Sequence, residues 1–207
     1  LIDNADLRWE WFFGPGEVLG LGAFAKWFHD PIEQIVIVSA QHSVTYENAD
    51  GATDLGVELD GKVFLDFLLD DRAFLAGNIA LIQSRVDLGD SGGIESSKER
   101  ALQGQSPYVV NLQLGWEDVE RGSRAMLVYN VSGKRITDVG ALGAPDSYEL
   151  AVHQVDLIAS QEIVGGLKVG LKLQNLLDWP LKQTQGEQVV EEVKLGREAS
   201  LKLSWAF

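Results

Sequence analysis

Side chains able to bind metals or move protons are few in this chain, and they are scattered. The three histidines, His29, His42 and His153, fall in separate segments with no HxxxH or HExxH spacing, so the paired imidazoles of a zinc enzyme are missing. Cysteine is absent, which removes thiolate ligands, a Cys nucleophile and any disulfide. No Gly-x-Ser-x-Gly elbow occurs, so the hydrolase nucleophile turn is missing too. Gly14, Gly16, Gly20 and Gly22 are dense enough for a phosphate loop, but Pro15 interrupts them and a strand-like segment follows. A tight turn is the better account, because phosphate cradles open onto helices. Asp70-Asp71 and Glu191-Glu192 are adjacent carboxylates. Neighbours on a strand point to opposite faces, so these read as solvated turn and loop charges. Two acidic stretches, Asp87 with Asp90 and Glu95, and Glu187–Glu192, offer hard oxygen ligands that suit calcium, though neither has EF-hand spacing. The expectation is a non-enzyme without catalytic residues, cofactor or resident metal, loop calcium being the single ligand the sequence offers.

Composition narrows the class. The 207 residues are 45% hydrophobic and 23% charged, with Asp plus Glu at 31 against Lys plus Arg at 17, a formal charge of −14. Mean hydropathy is −0.01. Disorder is excluded, a sizeable core is possible, and nucleic acid is not a partner. No run reaches the roughly 18 apolar residues of a membrane-spanning helix. Barrel strands escape that criterion, since only alternate residues meet lipid. The chain opens at Leu1 without a basic leader, which predicts a processed chain or a piece of a longer one.

Period two dominates the elements that must position these side chains. Ala199, Leu201, Leu203, Trp205 and Phe207 alternate with Glu198, Ser200, Lys202 and Ser204. A helical stripe would have to include Lys202, so this is a strand. Leu167, Val169, Leu171 and Leu173 alternate with Lys168, Gly170, Lys172 and Gln174, and Leu7, Trp9, Trp11 and Phe13 with Asp6, Arg8 and Glu10. Val18–Phe28 and Phe74–Ser84 are apolar on both faces. Nine strands are predicted, at 5–13, 17–29, 53–68, 73–86, 106–117, 122–131, 151–161, 166–176 and 197–207. Short connections (Gly14-Pro15-Gly16, Asp70-Asp71, 118–121, Val164-Gly165) alternate with long ones near 30–52, 87–105, 132–150 and 177–196. His153 stands at a strand start and is expected at an interface or in a loop.

A soluble β-sandwich binding module has alternating strands too, but they typically run about 5–6 residues and pack two sheets on one core. Many segments here run longer, about the 9–11 residues a tilted strand needs to cross a bilayer. Aromatics gather near strand ends, at Trp9, Trp11, Trp27, Phe28, Tyr108, Trp116, Tyr129, Trp205 and Phe207. With the alternating loop lengths they predict an all-β fold, an antiparallel transmembrane β-barrel with aromatic girdles.

Six segments then resemble one family. Asp6-Leu7-Arg8-Trp9-Glu10-Trp11 with Phe13-Gly14-Pro15-Gly16-Glu17 and Gly22-Ala23-Phe24 is similar to a late-barrel hairpin of TonB-dependent outer-membrane receptors. Asp30-Pro31-Ile32-Glu33 resembles the entry to the next surface loop, and Glu47–Asp50 with Ala52–Leu59 its return strand. Leu102–Tyr108 resembles the start of a descending strand, Asn175-Leu176-Leu177-Asp178 the close of the penultimate one, and Phe207 the aromatic end of the last. The resemblance runs from residue 4 to 207 and implies nine strands of a barrel of about 22 around a plug, so residues 1–207 form a C-terminal barrel part without plug or N-terminal strands. It also implies a bacterial outer membrane location, long loops outside and tight turns in the periplasm. An odd strand number leaves two unpaired edges, which predicts further strands from the same or another polypeptide.

On this template the function expected is part of a receptor importing a scarce nutrient; the alternative is a structural barrel subunit anchoring an outer-membrane assembly. Partners implied are outer-membrane lipid, the remaining strands and plug, TonB acting through the plug, and the barrel-assembly machinery. Trp205 and Phe207 would form the assembly signal, although Lys202 stands where many such strands carry glycine. Arg8, Glu10, Lys168, Lys172, Glu198 and Lys202 are the lumen-facing candidates, with hydration of a polar wall as their simplest role.

Overall fold

A computed structural model describes residues 1–37, 43–66, 72–88, 96–97 and 99–206. Sixteen strands are present: β1 (Ile2–Gly14), β2 (Glu17–His29), β3 (Ile32–Ile37), β4 (Ser43–Asn48), β5 (Gly51–Phe64), β6 (Ala73–Asp87), β7 (Glu99–Arg100), β8 (Tyr108–Asp118), β9 (Ser123–Ser132), β10 (Arg135–Asp138), β11 (Ser147–Glu149), β12 (Val152–Glu162), β13 (Leu167–Gln174), β14 (Leu181–Gln185), β15 (Gln188–Val193) and β16 (Glu198–Trp205). The nine long ones form a single antiparallel sheet in the order β1-β2-β5-β6-β8-β9-β12-β13-β16, with the two-residue β7 added beside β6. These nine match the strands predicted from alternation. The expectation of nine strands in total is corrected to sixteen among the described residues, because the long connections carry seven short strands of their own. One sheet rather than two packed sheets excludes the sandwich.

Meander order follows from the connections. A strand that reverses through a few residues has only its predecessor to pair with. At the first turn Gly16 has φ 78° and at the third Gly122 has φ 60°, left-handed values that glycine adopts without a Cβ penalty. The second predicted turn, at Asp70-Asp71, lies outside the described residues, as does Phe207. The sheet does not close on itself among the described residues: β1 and β16 are its two edges.

Register keeps the two faces distinct across all nine strands. One row reads Leu7, Ala23, Val57, Leu81, Tyr108; another reads Trp116, Ala125, Ala159, Leu171, Leu201. Opposed residues of an antiparallel pair share a face, so the apolar side chains form one continuous surface. Its members stay open: Leu7 is 76%, Val57 53% and Leu201 68% exposed.

The two strands that are apolar on both faces have a packing reason. On the polar face Phe24 lies over its cross-strand partner Gly56, and Phe74 over Gly115; a Cβ on either glycine would collide with the ring. Each ring thus takes the place of the missing side chain. Phe28, expected among the strand-end aromatics, instead packs on the polar face against the only buried apolar cluster among the described residues, Ala49, Ala52, Val86 and Leu88, with Leu102. Residues of the first two long connections fold back over the sheet there. The buried ion pair of Glu33 in β3 with Arg100 in β7, 2.9 Å apart, ties those connections together. Gln103 reaches on to Gln34 and to the Thr137 carbonyl. β10, β11, β14 and β15 unite the last two connections in a four-stranded sheet.

Candidate functional site

The polar face of the nine-strand sheet gathers most of the predicted residues. Arg8 and Glu10 stand on β1, two positions apart and therefore on the same face. Arg8 Nε donates to Glu10 at 2.8 Å, while its two terminal nitrogens fork onto the Asp60 carboxylate at 2.7 and 3.0 Å. Asp60 lies two strands away, and the guanidinium can cross β2 only because position 20 is glycine. A Cβ there would sit 2.7 Å from Arg8 Nη2 and 2.8 Å from Asp60. The planar fork of arginine matches the two oxygens of one carboxylate, which gives this contact its direction.

Glu10, Gly20, Asp60, Asn78, Asn111, Asn130 and Gln154 are successive cross-strand partners. Along this row Asn111 donates to Asn78 at 2.7 Å and Asn130 to Asn111 at 2.6 Å. Gln154 donates to Asp156, which also accepts the Asn175 backbone N–H at 2.9 Å. The row starts near the tight turns on β1 and ends near the long connections on β12, so a ramp of hydrogen-bonding groups climbs the face. Lys62 covers the rings of Phe64 and Phe74 at 4.7 and 4.6 Å, cation–π contacts that hold the ammonium over the polar face.

Lys168, Lys172, Glu198 and Lys202 occupy the same face at the opposite edge of the sheet. Gly170 opposes Lys202, Lys172 opposes Ser200, and Gln174 opposes Glu198. None of the four forms an ion pair among the described residues. The structure therefore joins Arg8 to Glu10, keeps the other four at the far edge, and adds Asp60 and the three asparagines. Asn111 stands between Val110 and Leu112, so strand alternation puts it on the face opposite theirs. Which residues meet across strands depends on register.

The apolar face carries aromatic residues at both ends. Towards the tight turns stand Trp11 with Phe13, ring centres 5.1 Å apart, Trp116, and Trp205, whose indole donates to the Gly165 carbonyl at 2.8 Å. Towards the long connections stand Trp27, Tyr108 and a cluster of three. There the Tyr129 hydroxyl meets His153 Nδ1 at 2.8 Å, His153 packs 4.5 Å from Trp179, and Trp179 donates to the Ala151 carbonyl at 3.1 Å. Apolar rings with satisfied polar tips suit a boundary between hydrocarbon and water.

Asp90 and Glu95 of the first acidic stretch lie outside the described residues. In the second, Glu192 pairs with Lys182 at 3.3 Å. Among the described residues no group of three metal-binding side chains converges. In the loop sheet, burial and the nearby Asp146 push the Tyr148 phenol above its ordinary pKa, with Arg100 opposing.

The fold is that of the β-barrel portion of TonB-dependent outer-membrane receptors, as the residues had implied. No family model matches the chain, and no curated protein matches it in sequence. Solved structures do. The copper transporter OprC is 17% identical with a TM-score of 0.69, covering 100% of this chain and 31% of its own. The FrpB iron transporter of Neisseria meningitidis is 12% identical with a TM-score of 0.67, covering 98% and 30%. A G324V mutant of the ferric enterobactin receptor PfeA of Pseudomonas aeruginosa is 17% identical with a TM-score of 0.65, covering 98% and 30%. The chain thus spans under a third of each.

Proposed function

We propose that this chain is the C-terminal barrel part of a TonB-dependent outer-membrane receptor, supplying wall, lumen lining and surface loops for uptake of a scarce nutrient. The observation that carries the reading is the continuous exposed apolar face bounded by aromatics at both ends. In water such a face is a liability; against lipid it is the solvated surface. The polar face then lines the lumen, with Arg8, Glu10, Lys168, Lys172, Glu198 and Lys202 among its residues. The tight turns lie in the periplasm and the tied long connections face outward. The plug, the remaining strands and TonB are the partners needed to complete a transport cycle, and Trp205 with Phe207 supplies the assembly signal.

Complexes of iron or copper, the metals named for the similar structures, are the first cargo to test. Accumulation of radiolabelled iron and copper is measured in metal-starved cells with the intact gene present or deleted, with and without TonB. Uptake requiring both supports the receptor. Equal uptake in all four strains, with the protein still in the outer membrane, would favour the anchoring subunit instead.

A further inference from the structure

Where the chain leaves β9 it crosses the start of β8 closely. A Cβ at Gly133 would lie 2.8 Å from the Tyr108 ring, and the Gly133 carbonyl accepts the buried Ser106 hydroxyl at 3.0 Å. This approach sets Lys134 at the rim of a cleft of roughly 250 Å³ between β6, residues 101–107 and the loop sheet. Ile82, Pro107 and Ile136 form apolar walls, and Ser84, Lys134 and Tyr148 are among its polar groups. In a chain of 31 acidic and 17 basic residues, no carboxylate lines this cleft among the described residues. The second cation on its wall, Arg135, is neutralised by Glu149 at 2.7 Å. Lys134 has no ion-pair partner among the described residues. Its ammonium is held 3.8 Å above the Tyr148 ring, and the Tyr148 hydroxyl likewise has no hydrogen-bond partner among the described residues.

We propose that this cleft binds a small amphiphilic organic anion, a flat apolar ring bearing a carboxylate or sulfonate. The acid group meets Lys134 Nζ and the Tyr148 hydroxyl, and the ring lies between Ile82, Pro107 and Ile136. A charge-assisted hydrogen bond from an otherwise unneutralised ammonium supplies the selectivity for anions. The Tyr148 phenol, with its pKa raised by burial and Asp146, remains a donor at neutral pH. The apolar walls add affinity for a ring over a bare anion. Binding here requires neither plug movement nor TonB, so it stands or falls separately from the transport reading.

The test is calorimetric titration of 2-naphthoate into the intact full-length protein in a neutral maltoside detergent, with empty micelles as blank and 2-naphthalenemethanol as the uncharged comparison. The acid is expected to bind at least about tenfold more tightly than the alcohol. Lys134→Gln should remove that preference, Lys134→Arg should keep it, and Tyr148→Phe should weaken the acid about threefold. No saturable binding of the acid, equal affinity for acid and alcohol, or an unchanged affinity in Lys134→Gln would each overturn the proposal.

Discussion

Arginine at position 57 tests which face meets lipid. On β5, Thr53 pairs with Trp27 of the loop-side aromatics, and Gly61 pairs with Leu19, itself paired with Trp11 of the turn-side aromatics. Val57 stands midway. Eight residues at about 3.4 Å make about 27 Å along the strand, or about 21 Å across the bilayer at a tilt near 40°. Val57 is therefore about 10 Å from either boundary, near the depth at which arginine on a barrel costs about 2–4 kcal/mol. Its cross-strand partners are Ala23 and Leu81, which offer no acceptor. Ala80→Arg on the neighbouring strand is the control, because Ala80 lies on the polar face opposite Glu58 and should change stability by less than about 1 kcal/mol. The assay is guanidinium unfolding of the intact protein in phospholipid vesicles, followed by tryptophan fluorescence. Val57→Arg within about 0.5 kcal/mol of wild type, or Ala80→Arg the costlier of the two, would refute the assignment of faces.

Three further outcomes follow from the loops and the polar face. Glu33→Ala strands the buried Arg100 guanidinium and should loosen the loop assembly by about 3–5 kcal/mol, read as faster hydrogen exchange and proteolysis near residues 99–104; adding Arg100→Met should restore most of the protection. Gly115→Ala drives a Cβ into the Phe74 ring and should destabilise by about 1–3 kcal/mol, whereas on a Phe74→Ala background the same change should be close to neutral, a coupling that a double-mutant unfolding cycle measures. Tyr148 should ionise above the ordinary tyrosine range. Since its folded pKa is raised, the loop sheet keeps its full stability below about pH 10 and loses it as pH climbs through the folded value. Ultraviolet difference titration of wild type against Tyr148→Phe checks this, and a phenolate appearing at or below the ordinary value would contradict the packing.

The nine long strands and the short turns at 14–16, 118–121 and 164–165 were legible in the sequence because strand side chains alternate with period two and each tight turn leaves one neighbour to pair with. Arg8 and Glu10 share a face for the same reason. The seven short strands were not legible: at two to six residues they are too short to show a sustained period-two alternation, whether they pair within one connection, as β3 does with β4, β10 with β11 and β14 with β15, along the long strand β6, as β7 does, or across two connections, as β11 does with β14. Nor was the contact of Arg8 with Asp60 visible, 52 residues away in the chain, since it needs the register of three strands and a glycine between them. Phe24 and Phe74 blurred the alternation until the glycines beneath them came into view. The strand period alone thus separated apolar from polar positions in most of the nine strands, residue by residue, but not in Val18–Phe28 and Phe74–Ser84, which are apolar at both. The tertiary structure alone decided which polar side chains meet, because register and the inward fold of the long connections set distances between residues far apart in the chain.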